Sequence, residues 1–421
     1  MLADLHLTLS LVITLAILLS YLNYRFVKLP SSIAVMSASL LISIVVIVLN
    51  WFGISFAKYD LISVVNNLHF RDMLMHFMLG FLLFAGVLSI DMSHLTRKRV
   101  EIGVLAIFGT IISAFLIGSI IYFVLLKLGF NLTYPQALIY GALISPTDPI
   151  AVLAVFKGIK SLESLSTTLA AESLYNDGIG VVLFLTIYML AFSSTPPTIG
   201  GTVLLFLRQS VGGLVYGLVL GFVVVKLMKT VSDHKITTML TIGLVFGGYA
   251  SANFFGFSGL LTMVTGGIMV NNYQRQKTMS VHARQYLNEF WETIDELLNA
   301  ILFLMIGFEI TIIHLSGKLF IATIIAILVV LICRFIAVVL PMSIIGIWKK
   351  QMRFTMSILT WGGLRGGLAV ALVLSLPSGD VRDVLLPLTY GVVVFSVLVQ
   401  GLTVKSLINR AHRANHGLAS D

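Results

Sequence analysis

The sequence predicts an all-α polytopic membrane protein of about thirteen spanning helices, and three observations carry that reading. Hydrophobic residues make up 58% of the 421-residue chain and charged residues only 11%, against about a quarter charged in ordinary soluble domains. Apolar runs of roughly the 20 residues needed to cross a hydrocarbon core recur from one end to the other. Between them, Lys and Arg collect in alternate loops. No room is left for a large soluble domain.

The expected spans, in order, are about 5–22, 32–53, 74–90, 102–126, 135–156, 167–192, 203–225, 237–252, 257–271, 295–313, 319–347, 354–377 and 384–404. The first follows Met1-Leu2-Ala3-Asp4, which lacks a basic start and a small-residue cleavage site, so it reads as a retained helix. Arg25 and Lys28 part it from the second, and Arg97-Lys98-Arg99 close the third. The fourth runs unbroken. The fifth is interrupted by Pro146 and Pro149, and the sixth carries Glu172, Asn176 and Asp177. The seventh is among several glycine-rich spans, which pack closely in lipid. Only the short Gly256–Gly259 break separates the eighth from the ninth. Residues 272–292, with Arg275, Lys277 and Arg284, read as an amphipathic surface helix or a solvated linker joining two halves. The twelfth span is interrupted at Trp361–Gly367, and a plain apolar run forms the thirteenth.

Loop charge tests this count. With the N-terminus outside and thirteen crossings, the inner loops and C-terminus hold roughly four times the Lys and Arg of the outer loops, the bias that orients membrane proteins. The net charge of +9 is spread over these loops rather than gathered into a patch, which argues against a nucleic-acid partner. The single cysteine, Cys333, lies in an apolar run, so disulfides and cysteine metal sites are excluded.

The chemistry is concentrated where polar residues interrupt apolar spans. A charge at mid-bilayer costs about 2.5–3.5 kcal/mol on insertion scales, so such residues mark an ion or proton path. In Ser145-Pro146-Thr147-Asp148-Pro149, two prolines prevent a continuous helix, and irregular backbone at membrane depth survives only inside protein or around a cavity. Thr147 offers a hydroxyl and a carbonyl to a hard cation, and Asp148 is placed to face the N-terminus of an opposing half-helix. Glu172 and Asn176 are four residues apart, as are Ser173 and Asp177, so all four lie on adjoining rows of one helix face. Oxygen ligands of this kind suit Na⁺, Li⁺ or K⁺. A carboxylate that holds either a proton or a cation is a complete antiport device, and Asp177 is the candidate. Arg365, amid four glycines, needs a carboxylate; Glu172 and Asp148 are available and Glu172 is preferred. Glu309 either pairs with Arg334 or faces the outer interface.

Together, Ser145–Pro149, Glu172-Ser-Leu-Tyr-Asn-Asp-Gly178 and Trp361-Gly-Gly-Leu-Arg-Gly-Gly367 resemble, in order and over the whole chain, the signatures of the cation/proton antiporter 1 family of NhaP- and NHE-type sodium/proton exchangers. The resemblance implies an NhaA-like inverted-repeat fold with two broken crossing helices. It implies a core of about 74–192 and 295–377 moving, elevator-fashion, against dimerisation helices of about 1–53, 203–271 and 384–404 in a homodimer. Residue by residue, Asp177 matches the ion- and proton-binding aspartate and Asn176 its preceding neighbour. Thr147, Asp148 and Ser173 match positions at or beside the cation site, with Na⁺ expected at Asp177, Thr147 and Ser173. Glu172 and Arg365 match the buried ion pair. An asparagine rather than a second aspartate at Asn176 implies electroneutral exchange. Many prokaryotic members carry a glutamate in the third helix where this chain has Ala85.

The expectation is therefore a secondary antiporter, not an enzyme. It exchanges Na⁺ or Li⁺ for protons without a cofactor, in a plasma (inner) membrane, with its N-terminus outside and C-terminus inside, among membrane lipids. A K⁺/H⁺ exchanger is the nearest alternative. An intramembrane aspartyl protease would use Asp148 and Asp177 as a dyad sharing a proton, but the Gly-x-Gly-Asp signature is missing. A non-transporting sensor would need an output domain that is not encoded.

Overall fold

The computed structural model describes residues 2–52, 73–90, 97–149, 152–153, 156, 163–193, 198–231, 233–275, 279–311, 313, 316–344 and 352–408. Among these all regular structure is helical, with a single isolated β-bridge between Asp148 and Leu364. That is the expected solution in lipid, where every backbone N–H and C=O must be satisfied within its own segment.

The helices are α1 (Leu2–Leu22), α2 (Ser31–Trp51), α3 (Leu79–Ser89), α4 (Arg99–Lys127), α5 (Tyr134–Ile144), α6 (Glu163–Phe192) and α7 (Ile199–Met228). They continue as α8 (His234–Phe254), α9 (Gly259–Arg275), α10 (Val281–Glu309), α11 (Gly317–Ile344), α12 (Met352–Trp361), α13 (Gly367–Leu374) and α14 (Asp380–Phe395). Helices fall in the apolar stretches expected from the sequence. Among the described residues, seven helices are by themselves long and apolar enough to cross a membrane. Others are short because they are interrupted. α5 opens with a reciprocal capping box between Thr133 and Gln136 and a proline in its first turn, and it stops at Ser145 because Pro146 and Pro149 follow. α12 stops at Gly362-Gly363, and α13 restarts after Gly366.

Residues 281–292, part of the 272–292 stretch expected as a surface helix or linker, instead begin α10, which runs without a break to Glu309. No proline lies between Val281 and Glu309 to end the helix, and Ala283, Leu287 and Trp291 bury one face of it. Trp291 is fully buried; its indole N–H donates to Thr241 Oγ1 (3.0 Å) and its ring packs on Phe84, with centroids 4.8 Å apart. α10 is thereby fixed against α8 and α3.

Two bodies emerge from the packing. α4, α5 and α6 pack in sequence, α11 lies against α4 and α14, and α13 lies against α14. The second body joins α7, α8 and α9, with α3 and α10 bound to α9 and α2 respectively. Each half of the first body has the order helix, broken helix, helix (α4–α5–α6 and α11–α12/α13–α14), the arrangement expected of inverted repeats. α14 packs on α11 and α13, while α3 packs on α9 and α10. α9 also finishes α3: Asn271 Nδ2 donates to the carbonyls of Val87 (2.7 Å) and Ile90 (3.0 Å), and Arg275 Nη2 donates to Ile90 (2.9 Å). These are carbonyls that a helix C-terminus leaves without intrahelical partners. On the outside, α7 and α11 present apolar side chains such as Leu204, Phe222, Phe320 and Phe335.

Candidate functional site

The two interruptions meet. The Asp148 N–H donates to the Leu364 carbonyl at 2.8 Å, so the chain segments cross antiparallel at a single bridge. The backbone groups freed by Pro146, Pro149 and the glycines find specific partners. Asn176 Oδ1 accepts from the Thr147 N–H (3.2 Å), and Asn176 Nδ2 donates to Thr147 Oγ1 (2.8 Å). Ser173 Oγ donates to the Thr147 carbonyl. Arg365 Nη1 donates to the carbonyls of Ser145 and of Pro146, the latter at 2.7 Å. The Arg365 N–H donates to Ser396 Oγ (2.8 Å), which in turn donates to Gln400 Oε1 (2.6 Å); Gln400 Nε2 reaches the Trp361 carbonyl (3.1 Å). One break is therefore held by α6 and the other by the helical turn Ser396–Gln400 that continues α14.

Two glycines make the approach possible. A β-carbon at Gly366 would collide with the Asp148 side chain, and one at Gly363 would lie 2.6 Å from Arg334 Nε. Gly366 caps the N-terminus of α13, so the Asp148 carboxylate rests at the positive end of that half-helix, as the sequence suggested.

Glu172 does not take Arg365 as its hydrogen-bonded partner. Arg334 Nη1 on α11 donates to Glu172 Oε1 at 2.6 Å, with side-chain exposures of 5% and 1% respectively, and Arg334 Nη2 donates to the Leu359 carbonyl (3.1 Å). Arg334 thus ties α6 to the end of α12. The expected Glu172–Arg365 pair is corrected on this point, because the guanidinium of Arg365 is turned toward the proline break instead. With Arg334 so engaged, Glu309 is not its partner; Glu309 is 2% exposed rather than at an interface.

A cavity of about 610 Å³ opens between the two bodies. Thr147, Asp148, Ser173 and Asp177 form its floor, with α13 starting beside them; Ala85 and Leu82 of α3 form one side, and α10 the other. Thr147 (3% exposed) and Ser173 (4%) are buried, while Asp148 and Asp177 are reached through the cavity. Thr147, Asp148, Glu172, Ser173, Asn176, Asp177 and Arg365 lie together here, in three arrangements. Asp177, Asp148, Thr147 and Ser173 line the cavity. Asn176 spends both ends of its amide on Thr147 and is a positioning residue. Glu172 and Arg365 lie behind the floor, each holding backbone or a partner. The missed contributors are Ser396 and Gln400, ordinary polar residues near the end of an apolar span, and the true role of Arg334, whose signal was its isolation in such a span.

Two half-helices that cross inside an all-helical membrane protein, with paired carboxylates in a cavity at the crossing, define a secondary transporter rather than an enzyme. The chain belongs to the sodium/hydrogen exchanger family: the family model described as the transmembrane sodium/hydrogen exchanger matches residues 11–410. Among its relatives are the Na(+)/H(+) antiporter NhaP of Pseudomonas aeruginosa, 40% identical with 95% of each chain covered, and the Na(+)/H(+) antiporter NhaH of Halobacillus aidingensis, 38% identical over 81% of this chain and 83% of the relative. The fold matches that of the sodium proton antiporter MjNhaP1 of Methanocaldococcus jannaschii, with a TM-score of 0.77 at 20% identity, covering 96% of this chain and 98% of the other.

Proposed function

We propose that the chain is a Na⁺/H⁺ antiporter in which Asp177 carries either a proton or a cation. The observation that carries this reading is the set of oxygens at the cavity floor: the Asp177 and Asp148 carboxylates, with Thr147 and Ser173 beside them. All are hard oxygen donors, matched to Na⁺ or Li⁺. The two likened relatives, both antiporters by name, support the same substrate pair.

In this mechanism a cation arriving through the cavity displaces the proton of Asp177. The Thr147 hydroxyl and carbonyl, pinned by Asn176 and Ser173, replace part of the lost hydration shell. Asp148, steadied by the α13 dipole, contributes charge without leaving its helix end. Asn176 is neutral and fully engaged with Thr147, which supports one titrating carboxylate per cycle and hence an exchange of one cation for one proton. The packing favours α4–α6 and α11–α14 as the moving body and α1–α3 with α7–α10 as the scaffold of a homodimer, working as an elevator among membrane lipids. Ser31 and Arg275 line the cavity, and the basic loops support a reading in which it faces the cytoplasm of a plasma membrane, with the N-terminus outside and the C-terminus inside. No cofactor is required, since the proton gradient supplies the driving force. K⁺ is the competing substrate, because the floor oxygens would coordinate it with the same chemistry.

Cation-induced proton movement in proteoliposomes tests the reading, with Na⁺, Li⁺ and K⁺ added separately to wild type and to Asp177→Ala. A pH-dye signal with Na⁺ or Li⁺ that disappears in the variant is expected. Folded wild-type protein that moves no protons with any of the three would overturn it.

A further inference from the structure

The wall of the cavity facing Asp177 has so far been given no task. α10 presents Glu292, Asp295, Glu296 and Asn299 to the same space, at steps of three and four residues that place them on one helix face. Glu292 and Glu296 are exposed, so water screens them; Asp295 is half-buried and Asn299 is only 5% exposed. Asn299 and the Asp148 carboxylate both lie close enough to Asp295 to act on it electrostatically. The amide oxygen of Asn299 has no hydrogen-bond partner among the described residues. A buried acceptor left without a donor costs about 1–3 kcal/mol, so this oxygen is suited to something positive. One turn before Glu292 on α10, Asn288 repeats the pattern: its Oδ1 is also buried without a partner among the described residues, and Asn288 also lines the cavity. Across from them Ala85 offers no oxygen, and Arg275 is the one basic side chain among the described lining residues. α10 cannot easily turn away, because Trp291 is locked against Thr241 and Phe84.

We propose that Asp295 and Asn299 form a second monovalent-cation site in this cavity, which a partly hydrated Na⁺ occupies before it reaches Asp177. A carboxylate and an orphan amide oxygen four residues apart supply two hard donors, and water supplies the rest. The site raises the local cation concentration at the floor without changing the exchange step itself. The inference rests on the antiport reading above for the direction of travel.

Initial exchange rates against Na⁺ concentration on the cavity side test it, for wild type, Asp295→Asn, Asn299→Ala and Asp295→Glu. The expected result is an apparent KM at least about fivefold higher in Asp295→Asn and Asn299→Ala, kcat within about twofold, and recovery of most of the affinity in Asp295→Glu. An unchanged KM would mean that the Asn299 oxygen serves only water and would overturn the proposal. A second measurement does not depend on transport. In Asp177→Asn, whose floor site is disabled, Na⁺ should still produce a saturable change in tryptophan fluorescence through Trp291, absent with choline, and Asp295→Asn added to that background should remove it. No Na⁺ response in Asp177→Asn refutes the second site even if antiport is intact. A persistent response in a protein that exchanges nothing retains the site and rejects the antiport reading instead.

Discussion

Replacing Arg334 by alanine should damage the fold far more than the same change at Arg365, for a reason that can be worked out from the contacts. Arg334 places one N–H on Glu172 Oε1 at 2.6 Å and another on the Leu359 carbonyl at 3.1 Å, and both charged side chains are almost wholly buried. Removing the guanidinium strands the Glu172 carboxylate in the protein interior, a loss of about 3–5 kcal/mol for one partner of a buried pair. The Leu359 carbonyl loses a charged donor, about 1.5–3 kcal/mol more. Against a typical stability of about 5–15 kcal/mol, that is enough to unfold a marginal protein. Arg365 is buried as well, but its Nη1 meets carbonyls, so Arg365→Ala strands no carboxylate. The assay is thermal unfolding and size-exclusion behaviour in detergent, with Glu172→Gln combined with each variant. Neutralising Glu172 should restore much of the stability lost in Arg334→Ala and little of that lost in Arg365→Ala. The reverse pattern, rescue of Arg365→Ala alone, would refute the assignment and return Glu172 to Arg365.

Other consequences follow from single contacts. Gly366→Ala places a methyl group where Asp148 sits, so exchange should fall at least about tenfold while the protein still reaches the membrane, as read by transport per folded molecule. Asn176→Ala removes both hydrogen bonds that pin Thr147 and should raise the apparent KM for Na⁺ several-fold in a concentration series. Ser396→Ala leaves the buried Arg365 N–H without its acceptor at a cost of about 1–3 kcal/mol, visible as a lower melting temperature.

The parts of the site legible in the sequence are those governed by local chemistry. Pro146 and Pro149 forbid a helix wherever they stand, and Asp148, Glu172 and Asp177 in apolar runs demand a protein or water environment on any topology. The residues that were assigned the wrong partner are governed by contacts between distant segments. Arg334 and Arg365 are both lone arginines in apolar spans, and only the way α11 crosses α6 decides which one meets Glu172. Asn176 shares a helix face with Asp177, yet its amide is consumed by Thr147 because of how the broken segment lies across α6, which no spacing reveals. Ser396 and Gln400 look like unremarkable polar residues until Arg365 and Trp361 are seen to need them. The continuity of α10 is legible in principle: the polar residues of 272–292 suggest a separate helix, but no breaking residue separates 281–292 from the span that follows.

The central claim is that one group, Asp177, binds the cation and the proton in turn, and the dependence of Na⁺ affinity on pH tests it most directly. Exchange rates in proteoliposomes should be measured as full Na⁺ titrations at a series of acidic pH values. Competition at one carboxylate predicts that the apparent KM for Na⁺ rises toward about tenfold per pH unit lowered, with the maximal rate preserved. A KM that stays constant while only the maximal rate falls would place the proton on a different group and contradict the account.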